Sequence, residues 1–363
     1  MRGMSEIERR LVHKGRGTLS NAVGRFEGYA RTGFDDGWGS ADEAALPLET
    51  RLIEDTTRTI IARNQSPDIG FDRSINPYRG CEHGCVYCFA RPTHAYLGLS
   101  PGLDFESRLF FKPRAAELLR AELSKPSYRC QPMGLGTNTD PYQPIERKLG
   151  IMRQILEVLR DFQHPLTIVT KGALVQRDID ILAPMAEKRL ARVAVSVTTL
   201  DRSLARRMEP RAATPERRLE TIRALSDAGI PTSVMAAPMI PGLNDHELEA
   251  ILEAARDHGA TAANWVLLRL PLEIKDLFTE WLEENAPLRA KHVLALVRET
   301  RHGKHYSSEW GERMRGDGAY ADLIAQRFRL ALKRLGLNPR DMTGLDSTQF
   351  RPPPKPGQQL SLF

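Results

Sequence analysis

Three of the four cysteines of this chain lie close together in the stretch RGCEHGCVYCFARP. Cys81, Cys85 and Cys88 are spaced C-x3-C-x2-C, and Tyr87 directly precedes the last of them. Thiolates are soft ligands that suit iron, and three of them on one short loop can each take a separate corner of a cubic iron–sulfur cluster. One iron is then left without a protein ligand, which is what a catalytic metal site requires. The spacing therefore predicts a cluster with an open metal position.

A structural zinc site is the main alternative for these cysteines. It would need His83 or Cys130 as the fourth ligand. His83 lies between two of the cysteines, where the backbone would strain a four-coordinate site, and no second C-x2-C pair is present. Four cysteines in so long a chain do not indicate a disulfide framework. The cluster is therefore the preferred interpretation.

Apolar, strand-like segments alternate with amphipathic, helix-like segments along the middle of the chain. The expected strands are residues 74–78, 133–138, 166–171, 193–199, 232–240 and 264–271. The expected helices between them are residues 151–162, 179–188, 215–228 and 245–258. This order predicts an α/β fold in which a parallel sheet is covered by helices. About six βα units are fewer than the eight of a closed barrel, so we expect a partial (β/α)6 TIM-type barrel.

The sequence divides into four regions. Residues 1–60 form an N-terminal extension, rich in Gly, Arg, Asp and Glu, which we expect to be loosely ordered, although its glycines and aromatic residues leave packing on the core equally open. Residues 61–305 form the core barrel. Residues 306–345 form a C-terminal helical segment with its clearest helix at 319–335. Residues 346–363 form a flexible, proline-rich tail.

The composition is that of a globular protein. The chain has 363 residues, of which 41% are hydrophobic and 27% charged, and its apolar runs are too short to cross a bilayer. The N-terminal residues carry charges throughout and lack the apolar region of a secretory signal, so we expect a cytoplasmic protein with no membrane partner. The net charge of +6 favours polyanions as partners but does not establish them.

The motif C-x3-C-x-aromatic-C after the first strand of a predicted βα barrel resembles that of the radical S-adenosylmethionine superfamily, over about residues 72–301. The resemblance implies that Cys81, Cys85 and Cys88 bind a 4Fe-4S cluster whose open iron chelates the amino and carboxylate groups of S-adenosylmethionine. An external one-electron reductant is then a partner. Reduction cleaves the sulfonium and releases a 5'-deoxyadenosyl radical.

Period-two alternation divides the side chains of the fourth expected barrel strand between two faces. Val193, Val195 and Val197 should face the helices, whereas Ser196 and Thr198 should point into the barrel near the carboxyl end of the strand. Ligands bind at that end in such folds. In the superfamily a polar residue on this strand often contacts the ribose, and Ser196 is the first candidate. Hydroxyls satisfied within the core are the alternative.

Two further segments resemble cofactor-binding parts of the superfamily. GLGTNTDPYQPIE stands where the superfamily often has a Gly-Gly-Glu-like segment that holds the amino group of the cofactor, and here Thr137, Asn138, Thr139 and Asp140 supply the acceptors. An Asp-Pro turn is the competing interpretation.

PMIPGLND resembles the stretch after the fifth strand that contacts adenine, chiefly through the backbone around Ile240 and Gly242. Its alternative is a strand-to-helix turn with Asn244 or Asp245 as N-cap, and both roles are compatible.

Three basic residues in the barrel region are candidates for binding a carboxylate or phosphate. They are Lys171, Arg207 and Arg211. Solvated surface charges are the alternative for all three.

The run SVTTLDRSLARRMEPRAATPERRLETIRALSDAGIP, together with CVYCFARP and NTDPY, resembles the spore photoproduct lyase group. That lyase splits a methylene-bridged thymine dimer in DNA and returns hydrogen from a cysteine downstream of the cluster. Cys130 lies at a comparable distance and is the candidate hydrogen donor. The local pattern aligns equally well with Thr137, which cannot donate hydrogen as a thiol does. Cys130 is then a buried, inert thiol.

The last residues of the sequence resemble the peptide by which bacterial repair and replication proteins bind the β sliding clamp. Gln359, Leu360, Leu362 and Phe363 carry the resemblance. An amide at the edge of a pocket and apolar anchors in a cleft would make the contact, and the proline-rich spacer supplies reach. An exposed apolar tail without a partner is the alternative.

Taken together, the sequence predicts a radical S-adenosylmethionine enzyme that acts on DNA, in photoproduct-lyase-like repair or DNA maintenance. Two alternatives stay open. The enzyme could modify tRNA, a peptide or a small metabolite, or the chain could be a non-catalytic iron–sulfur accessory protein recruited to the clamp.

Overall fold

The structure is a computed structural model that describes residues 15–27, 48–339 and 344–354. Its strands are β1 (Arg51–Glu54), β2 (Ile61–Arg63), β3 (Arg73–Ile75), β4 (Tyr78–Arg79), β5 (Arg108–Phe111), β6 (Met133–Leu135), β7 (Leu166–Thr170), β8 (Ala191–Ser196), β9 (Thr232–Met239), β10 (Ala262–Leu267) and β11 (Asn338–Pro339). Its α-helices are α1 (Leu103–Ser107), α2 (Ala115–Leu123), α3 (Glu146–Leu149), α4 (Ile151–Asp161), α5 (Ile179–Glu187), α6 (Arg202–Met208), α7 (Pro215–Asp227), α8 (Leu248–Asp257), α9 (Ile274–Asn285), α10 (Pro287–Glu299), α11 (Glu312–Arg315) and α12 (Ala319–Leu335). Among the described residues, three short 3-10 helices cover Arg91–Leu97, Ala173–Asp178 and Asp245–Glu247.

The main sheet is built from six parallel strands in sequence order, as counted in the described residues. β3, β6, β7, β8, β9 and β10 follow one another, with β2 antiparallel at one edge and β11 parallel at the other. Leu135, Ile168 and Val193 lie side by side on three successive strands. Within the part of the chain described, the two edges do not pair with each other, so the barrel is open. The expected partial barrel is confirmed.

Helices cover the outer face of this sheet. On α4, Ile151, Ile155 and Leu159 recur every fourth residue and are buried in the main core together with Ile168 and Val193 of the sheet. A spacing of four places side chains on one face of a helix, which is why this segment packs where the sequence pattern indicated. The expected helix at 245–258 begins instead with a 3-10 turn, and the α-helix itself covers Leu248–Asp257.

Four of the parallel strands end earlier than the apolar pattern of the sequence predicts. β7 ends one residue early, at Thr170, and the others end three or four residues early, β6 at Leu135, β8 at Ser196 and β10 at Leu267. The residues that follow are therefore loops along one rim of the sheet. We call this the carboxyl edge, and parallel strands bring all of these loops to the same side of the barrel.

A second, three-stranded sheet was not expected. Within the described residues it has the order β1-β5-β4, with β1 parallel and β4 antiparallel to β5. Its strands have at most four residues, and β1 is largely exposed, so no long apolar alternation marks them in the sequence. This sheet matters for function because the cysteine loop, residues 81–88, begins directly after β4.

The described part of the N-terminal extension packs on the core. Residues 15–27 form what we call the strap, in which Arg16, Thr18 and Leu19 are buried. The expectation that the extension is loosely ordered is wrong for these residues. Packing prevails because the strap makes hydrogen bonds with the buried carboxylate of Glu106, as described below.

The C-terminal helix α12 has the bounds that the sequence predicted. Beyond it, Phe350 packs against Tyr128, Phe162 and His164, so the beginning of the proline-rich tail lies on the domain and is not a free spacer. The four clamp-like residues of the tail lie outside the described residues.

Within the ranges that the structure describes, we find no helix with the length and hydropathy of a membrane span.

Candidate active site

The cysteine loop lies at the carboxyl edge, between β4 and the 3-10 helix Arg91–Leu97. Cys81 and Cys85 are buried and Cys88 is half-buried. The Gly84 N–H donates to Cys81 O (3.4 Å) and the Cys88 N–H donates to Cys85 O (3.2 Å), so the loop turns twice within eight residues. Gly84 has φ +68°, a conformation that favours glycine. The two turns bring three thiols onto one short loop.

Neighbouring elements fix the loop through its backbone. The Glu82 N–H donates to Gln143 Oε1 (2.8 Å), the Val86 N–H to Met208 O (3.0 Å), and Arg91 Nε to Cys85 O (2.9 Å). Arg91 is itself held by an ion pair with buried Glu106 (2.6 Å). These contacts arise from four separate segments of the chain, so the loop is positioned before any ligand binds.

The strap holds the same loop from the other side. Glu106 Oε2 accepts from the Gly17 N–H (2.8 Å), and Oε1 accepts from the Thr18 N–H (3.0 Å) and hydroxyl (2.9 Å). A Cβ on Gly17 would lie 1.7 Å from Gly84 O. The strap backbone therefore rests directly on the backbone of the cysteine loop, which only glycine permits at residue 17.

Burial raises the pKa of all three loop thiols. Asp140 also raises the pKa of Cys81, and Glu209 that of Cys85, whereas Arg91 opposes the shift at Cys88. The thiols also raise one another's pKa because they are close together. All three are free of disulfide bonds.

This donor set suits a cluster better than a single ion. In the described residues, no group of three or more His, Cys, Asp or Glu side chains converges tightly enough to hold one metal ion. In a 4Fe-4S cluster each thiolate binds a different iron, so the thiols do not need to converge on one point. The cysteine loop therefore fits the cluster that the sequence predicts.

Neither of the fourth ligands considered for zinc joins the thiols. His83 Nδ1 lies 3.4 Å from Asp140 Oδ2. Cys130 precedes β6 and lies at the opposite, amino-terminal edge of the sheet, where its pKa is raised to about 11 by burial. Cys130 is thus also remote from the site at which a hydrogen donor would act. Its expected role as donor disagrees with the structure, because the strand β6 separates it from the carboxyl edge.

Lys171 is the central polar residue of the site. It directly follows β7, and its Nζ donates to Ser196 Oγ (2.7 Å), Thr198 Oγ1 (3.0 Å) and Ala237 O (3.2 Å). Its Nζ also lies 3.3 Å from Glu209 Oε1. Burial, reinforced by nearby Arg218, lowers the pKa of Lys171 to about 8, against the opposing effect of the Cys85 thiol. This ammonium group therefore stands beside the cysteine loop.

The two hydroxyls proposed from strand alternation both contact this lysine. Val193, Val195 and Val197 belong to the main core, as the alternation predicted. Thr198 Oγ1 also lies 3.2 Å from the Tyr87 hydroxyl, which belongs to the cysteine loop. Thr198 thereby links the end of β8 to the loop.

The turn after β6 is organised by Asn76. Its Oδ1 accepts from the Asn138 N–H (3.0 Å) and the Thr139 N–H (3.4 Å) and lies 3.5 Å from Thr137 Oγ1. Thr139 Oγ1 donates to Tyr78 O (2.9 Å). The side chains of Thr137 and Asn138 are half-buried at the carboxyl edge, so they can face a ligand.

Asp140 ends this turn, and its carboxylate is hydrogen-bonded to neighbouring residues. It accepts from Thr170 Oγ1 (2.7 Å) and from the Lys171 N–H (2.7 Å), and it faces His83. Burial alone would raise its pKa, but His83 and these hydrogen bonds leave the pKa below the ordinary value. Asp140 therefore acts as a brace between the cysteine loop and β7.

The turn after β9 also lies at this edge. The Ile240 N–H donates to Asn244 Oδ1 (2.6 Å), and Asn244 Nδ2 donates to Thr198 O (2.7 Å). The Gly242 N–H donates to Asp245 Oδ1 (2.9 Å). Asn244 stands at the N-cap of the 3-10 helix Asp245–Glu247, as expected, but its side chain makes no capping hydrogen bond because it folds back into the turn.

The two arginine candidates have different surroundings. Arg211 Nη1 pairs with Glu82 of the cysteine loop (3.0 Å). The Arg207 side chain is exposed on α6, and its backbone carbonyl accepts from Trp281 Nε1 (3.1 Å). The structure therefore places Arg211 at the cysteine loop and leaves Arg207 on the surface.

Glu209, Asn76 and Glu106 were missed in the sequence analysis. Each is a polar residue whose importance depends on contacts with distant parts of the chain. A weak signal exists for Asn76, which directly follows a strand of the barrel. Glu106 and Glu209 look like ordinary surface carboxylates in the sequence.

Comparisons with known proteins agree with this geometry. The family model for the radical SAM superfamily matches residues 75–255. The uncharacterized protein Rv2578c of Mycobacterium tuberculosis is 38% identical over 275 residues, which cover 74% of this chain and 79% of that protein. The uncharacterized protein MJ0683 of Methanocaldococcus jannaschii is 27% identical over 173 residues, 48% of this chain and 62% of that protein.

The fold is also similar to solved structures of spore photoproduct lyase. The lyase complexed with dinucleoside spore photoproduct has a TM-score of 0.54 and 16% identity, and the match covers 78% of this chain and 79% of that one. A variant with bound AdoMet and the dinucleoside photoproduct has a TM-score of 0.53 and 15% identity. At this identity the similarity shows a shared fold. With the family model and the site geometry, it follows that the chain belongs to the radical S-adenosylmethionine superfamily, whose members use a 4Fe-4S cluster and S-adenosylmethionine.

Proposed function

We propose that this chain is a radical S-adenosylmethionine enzyme that acts on DNA, with Cys81, Cys85 and Cys88 as the cluster ligands. One observation carries the assignment of the site. The largely buried Lys171 ammonium stands with Ser196 and Thr198 beside the thiols of the cysteine loop, at the carboxyl edge of a partial barrel. When bound, the reduced cluster supplies the electron that cleaves the sulfonium of S-adenosylmethionine.

The polar residues around Lys171 have distinct roles in this proposal. Lys171 provides a positive charge for the carboxylate of the cofactor, and Ser196 and Thr198 provide hydroxyls for its carboxylate or ribose. The lysine has three neutral acceptors and one carboxylate, that of Glu209, so the carboxylate of the cofactor would replace neutral partners with a second charged one. Glu209 keeps its ion pair with Arg218 when Lys171 turns toward the cofactor.

Backbone groups complete the cofactor site. The turn held by Asn76 presents Thr137 and Asn138 as acceptors for the amino group of the cofactor. The turn after β9 presents the backbone around Ile240 and Gly242 to the adenine. Both turns are fixed by side-chain hydrogen bonds, so they need little rearrangement when a ligand binds.

DNA is proposed as the substrate for two reasons. The sequence resembles the spore photoproduct lyase group in three separate stretches, and solved structures of the same fold hold a dinucleoside photoproduct. The proposal does not include hydrogen return from Cys130, because that residue lies at the other edge of the sheet. We therefore favour a DNA maintenance reaction in which the substrate radical is not quenched by this thiol.

The substrate is tested by measuring 5'-deoxyadenosine released by the anaerobically reconstituted, reduced protein. Parallel reactions contain ultraviolet-treated DNA, intact DNA, bulk RNA or no addition. We expect release to be stimulated several-fold by DNA over the reaction without addition. Stimulation by RNA alone would mean that the enzyme modifies RNA and does not act on DNA. No release of 5'-deoxyadenosine under any reductant would support the accessory-protein alternative.

We propose in addition that the tail tethers the enzyme to the β sliding clamp through Gln359, Leu360, Leu362 and Phe363. A glutamine amide and apolar anchors suit an apolar cleft with a polar edge. Deletion of residues 359–363 should abolish binding to immobilised clamp while the iron content stays unchanged. Equal clamp binding by the shortened chain would contradict the tether.

A further inference from the structure

Two arginines at the carboxyl edge make no ion pair with a carboxylate in the described residues. Arg269 follows the end of β10 by two residues, and Arg301 follows the end of α10 by two residues. Two other buried arginines are paired with carboxylates, Arg91 with Glu106 and Arg218 with Glu209. Buried charges are normally paired, so unpaired cations at the rim of a binding site indicate an anionic ligand.

Arg301 is 1% exposed. Its Nη2 donates to Leu268 O (3.0 Å) and Arg313 O (3.2 Å), and its Nη1 donates to Glu312 O. Its Nε has no hydrogen-bond acceptor among the described residues. Burial lowers the pKa of Arg301 to about 10, and the nearby charge of Arg269 adds to this effect, whereas Tyr306 and Glu312 oppose it. The hydrogen bond with Leu268 O holds Arg301 against the residue that precedes Arg269.

Arg269 reaches across to the cysteine loop. Its guanidinium carbon lies 4.6 Å from the ring centroid of Phe89, the residue after Cys88, and its Nη1 contacts Met314 Sδ (3.4 Å). Its Nε also lacks an acceptor in the described part of the chain. The nearby carboxylate of Glu312 is engaged by His302 (3.4 Å) and the Ser307 hydroxyl (3.2 Å). No ion pair thus offsets the charge of Arg269 within these residues.

This charge is separate from the one that faces the cofactor. Lys171 follows β7 and Arg269 follows β10, three strands further along the sheet. The two cations also lie against different residues, because Lys171 Nζ is 5.7 Å from the ring centroid of Tyr87 whereas the Arg269 guanidinium carbon is 4.6 Å from that of Phe89. Lys171 contacts Ser196 and Thr198, and Arg269 contacts neither of them in the described residues. We therefore assign the anion at Arg269 to a second molecule.

Exposed aromatic residues accompany the arginines. Phe89 is 43% exposed beneath Arg269, and Trp310 is 56% exposed with the guanidinium carbon of Arg313 4.3 Å from its ring centroid. Arginine on an aromatic face is a common arrangement where a protein holds unstacked bases beside a phosphate backbone. A simple carboxylate ligand would not need such rings.

We propose that Arg269, supported by Arg301 and Phe89, binds a phosphate of a nucleic acid strand whose reacting nucleotide enters the barrel mouth. The Arg269 guanidinium forms a charge-assisted pair with the phosphate, and Phe89 stacks with an adjacent base. Arg301 positions Arg269 by holding the backbone at Leu268. This inference rests on the proposed action on DNA and names the residues that would recognise the substrate.

The test measures binding of a fluorescein-labelled 12-nucleotide single strand to the reconstituted protein by anisotropy over a range of salt concentrations. For Arg269→Gln we expect affinity to fall roughly tenfold and the slope of log K against log salt to decrease by about 0.7, the value for one lost phosphate contact. Arg269→Lys keeps the charge and should recover most of the salt slope but only part of the affinity, because it loses the planar contact with Phe89.

Arg329→Gln is the matched control, because Arg329 is exposed on α12, outside the barrel mouth, and the variant removes the same charge. It should bind the strand and release 5'-deoxyadenosine as the unaltered protein does. Melting temperatures of all variants check that they fold.

Different failures have different meanings. If the unaltered protein binds strands but Arg269→Gln and the control bind equally well, the phosphate site is wrong and the proposed function stands. If Arg269→Gln weakens the binding of S-adenosylmethionine and leaves strand binding intact, the anion is the carboxylate of the cofactor and the inference is overturned. If the unaltered protein binds neither the DNA nor the RNA form of the strand, the nucleic-acid function itself fails. Binding of an acidic peptide in place of both strands would also contradict the inference.

Discussion

At the scale of single residues, the site depends on charges that are placed before a ligand arrives. Lys171 has neutral acceptors and one carboxylate around it, and that carboxylate, Glu209, has a second partner in Arg218. The lysine can therefore be exchanged for an apolar residue without leaving a buried carboxylate unpaired. This makes its contribution to cofactor binding measurable.

Lys171→Met should weaken binding of S-adenosylmethionine. Loss of a charge-assisted hydrogen bond costs about 1.5–3 kcal/mol, so we expect the Kd to rise roughly 10- to 100-fold. Titration calorimetry of the reconstituted protein measures the change. Lys188→Met, an exposed lysine after α5, is the control and should bind as the unaltered protein does. An unchanged Kd in Lys171→Met would show that the lysine has only a structural role.

The cysteines should differ sharply in their effect on iron content. Cys85→Ala should lose most of the cluster, measured as iron and sulfide per chain after anaerobic reconstitution, because three thiolates are needed to hold the cluster. Cys130→Ala should keep the full content, since that thiol lies at the opposite edge of the sheet and its pKa is raised to about 11. Equal iron loss in both variants would contradict the assignment of the ligands.

The residues of the site were predictable where a motif or alternation within a few residues of sequence marked them. The cysteine motif and the alternation of Ser196 and Thr198 are visible within a few residues of sequence. Glu106, Glu209 and Arg269 were not, because a charged residue has the same appearance in a sequence whether it is solvated or buried. Their roles come from partners tens of residues away, such as Gly17 for Glu106.

At the scale of elements, the strap and the cysteine loop form one unit. The backbone of residue 17 rests on that of residue 84, and Glu106 bonds to the strap while its ion pair holds Arg91 against the loop. The sequence left the order of the extension open, because the hydrogen bonds that fix it are with residues almost ninety positions away. The strap therefore covers the loop that is proposed to bind an oxygen-sensitive cluster.

Gly17→Ala should make the cluster more labile. The added Cβ would lie 1.7 Å from Gly84 O, so either the strap or the loop must move. We expect the cluster absorbance to decay several-fold faster in air than in the unaltered protein. Gly229→Ala is the control, because its Cβ meets no atom within 4 Å although its φ of +74° makes it mildly destabilising. Equal decay in the two variants would mean that the strap does not protect the loop.

The segment before β7 gives the protein a dependence on pH. Burial lowers the pKa of His164 to about 4, and its Nε2 lies 2.7 Å from the Tyr128 hydroxyl. The folded protein therefore holds the neutral ring, whereas the unfolded chain titrates near pH 6.5. The free energy of unfolding should be highest above pH 6.5 and should fall as the pH drops toward 4, by about 3 kcal/mol for this residue.

Urea unfolding at pH 7.5 and 4.5, followed by circular dichroism, measures this dependence. Carboxylates titrate in the same range, so the comparison is between the unaltered protein and His164→Gln, which should lose less stability on acidification. The same loss in both proteins would show that His164 does not contribute.

At the scale of the whole molecule, the strand order was predictable and the strand ends were not. Six βα units in sequence order follow from apolar periodicity, since most of the parallel strands are buried on both faces. The apolar pattern continues past the ladder, so it cannot show that β8 ends at Ser196 and β10 at Leu267. Those ends create the carboxyl edge, on which the cofactor residues and the arginine pair both lie.

The charge of the molecule is also organised at this scale. A net charge of +6 indicates little in itself, but Lys171, Arg269 and Arg301 are concentrated at one edge of the sheet. In the proposals made above, Lys171 binds the cofactor, Arg269 binds the phosphate, and Arg301 supports Arg269. Two anionic ligands of different size would then share one basic edge.

The cysteine loop is proposed to hold a cluster whose open iron binds S-adenosylmethionine. The electron paramagnetic resonance spectrum of the reduced, reconstituted protein, recorded with and without S-adenosylmethionine, tests this binding directly. We expect a signal of a reduced 4Fe-4S cluster whose g-values shift when the cofactor is added, with no such signal from Cys85→Ala. A cluster signal that S-adenosylmethionine leaves unchanged, or an equal signal from Cys85→Ala, would contradict it.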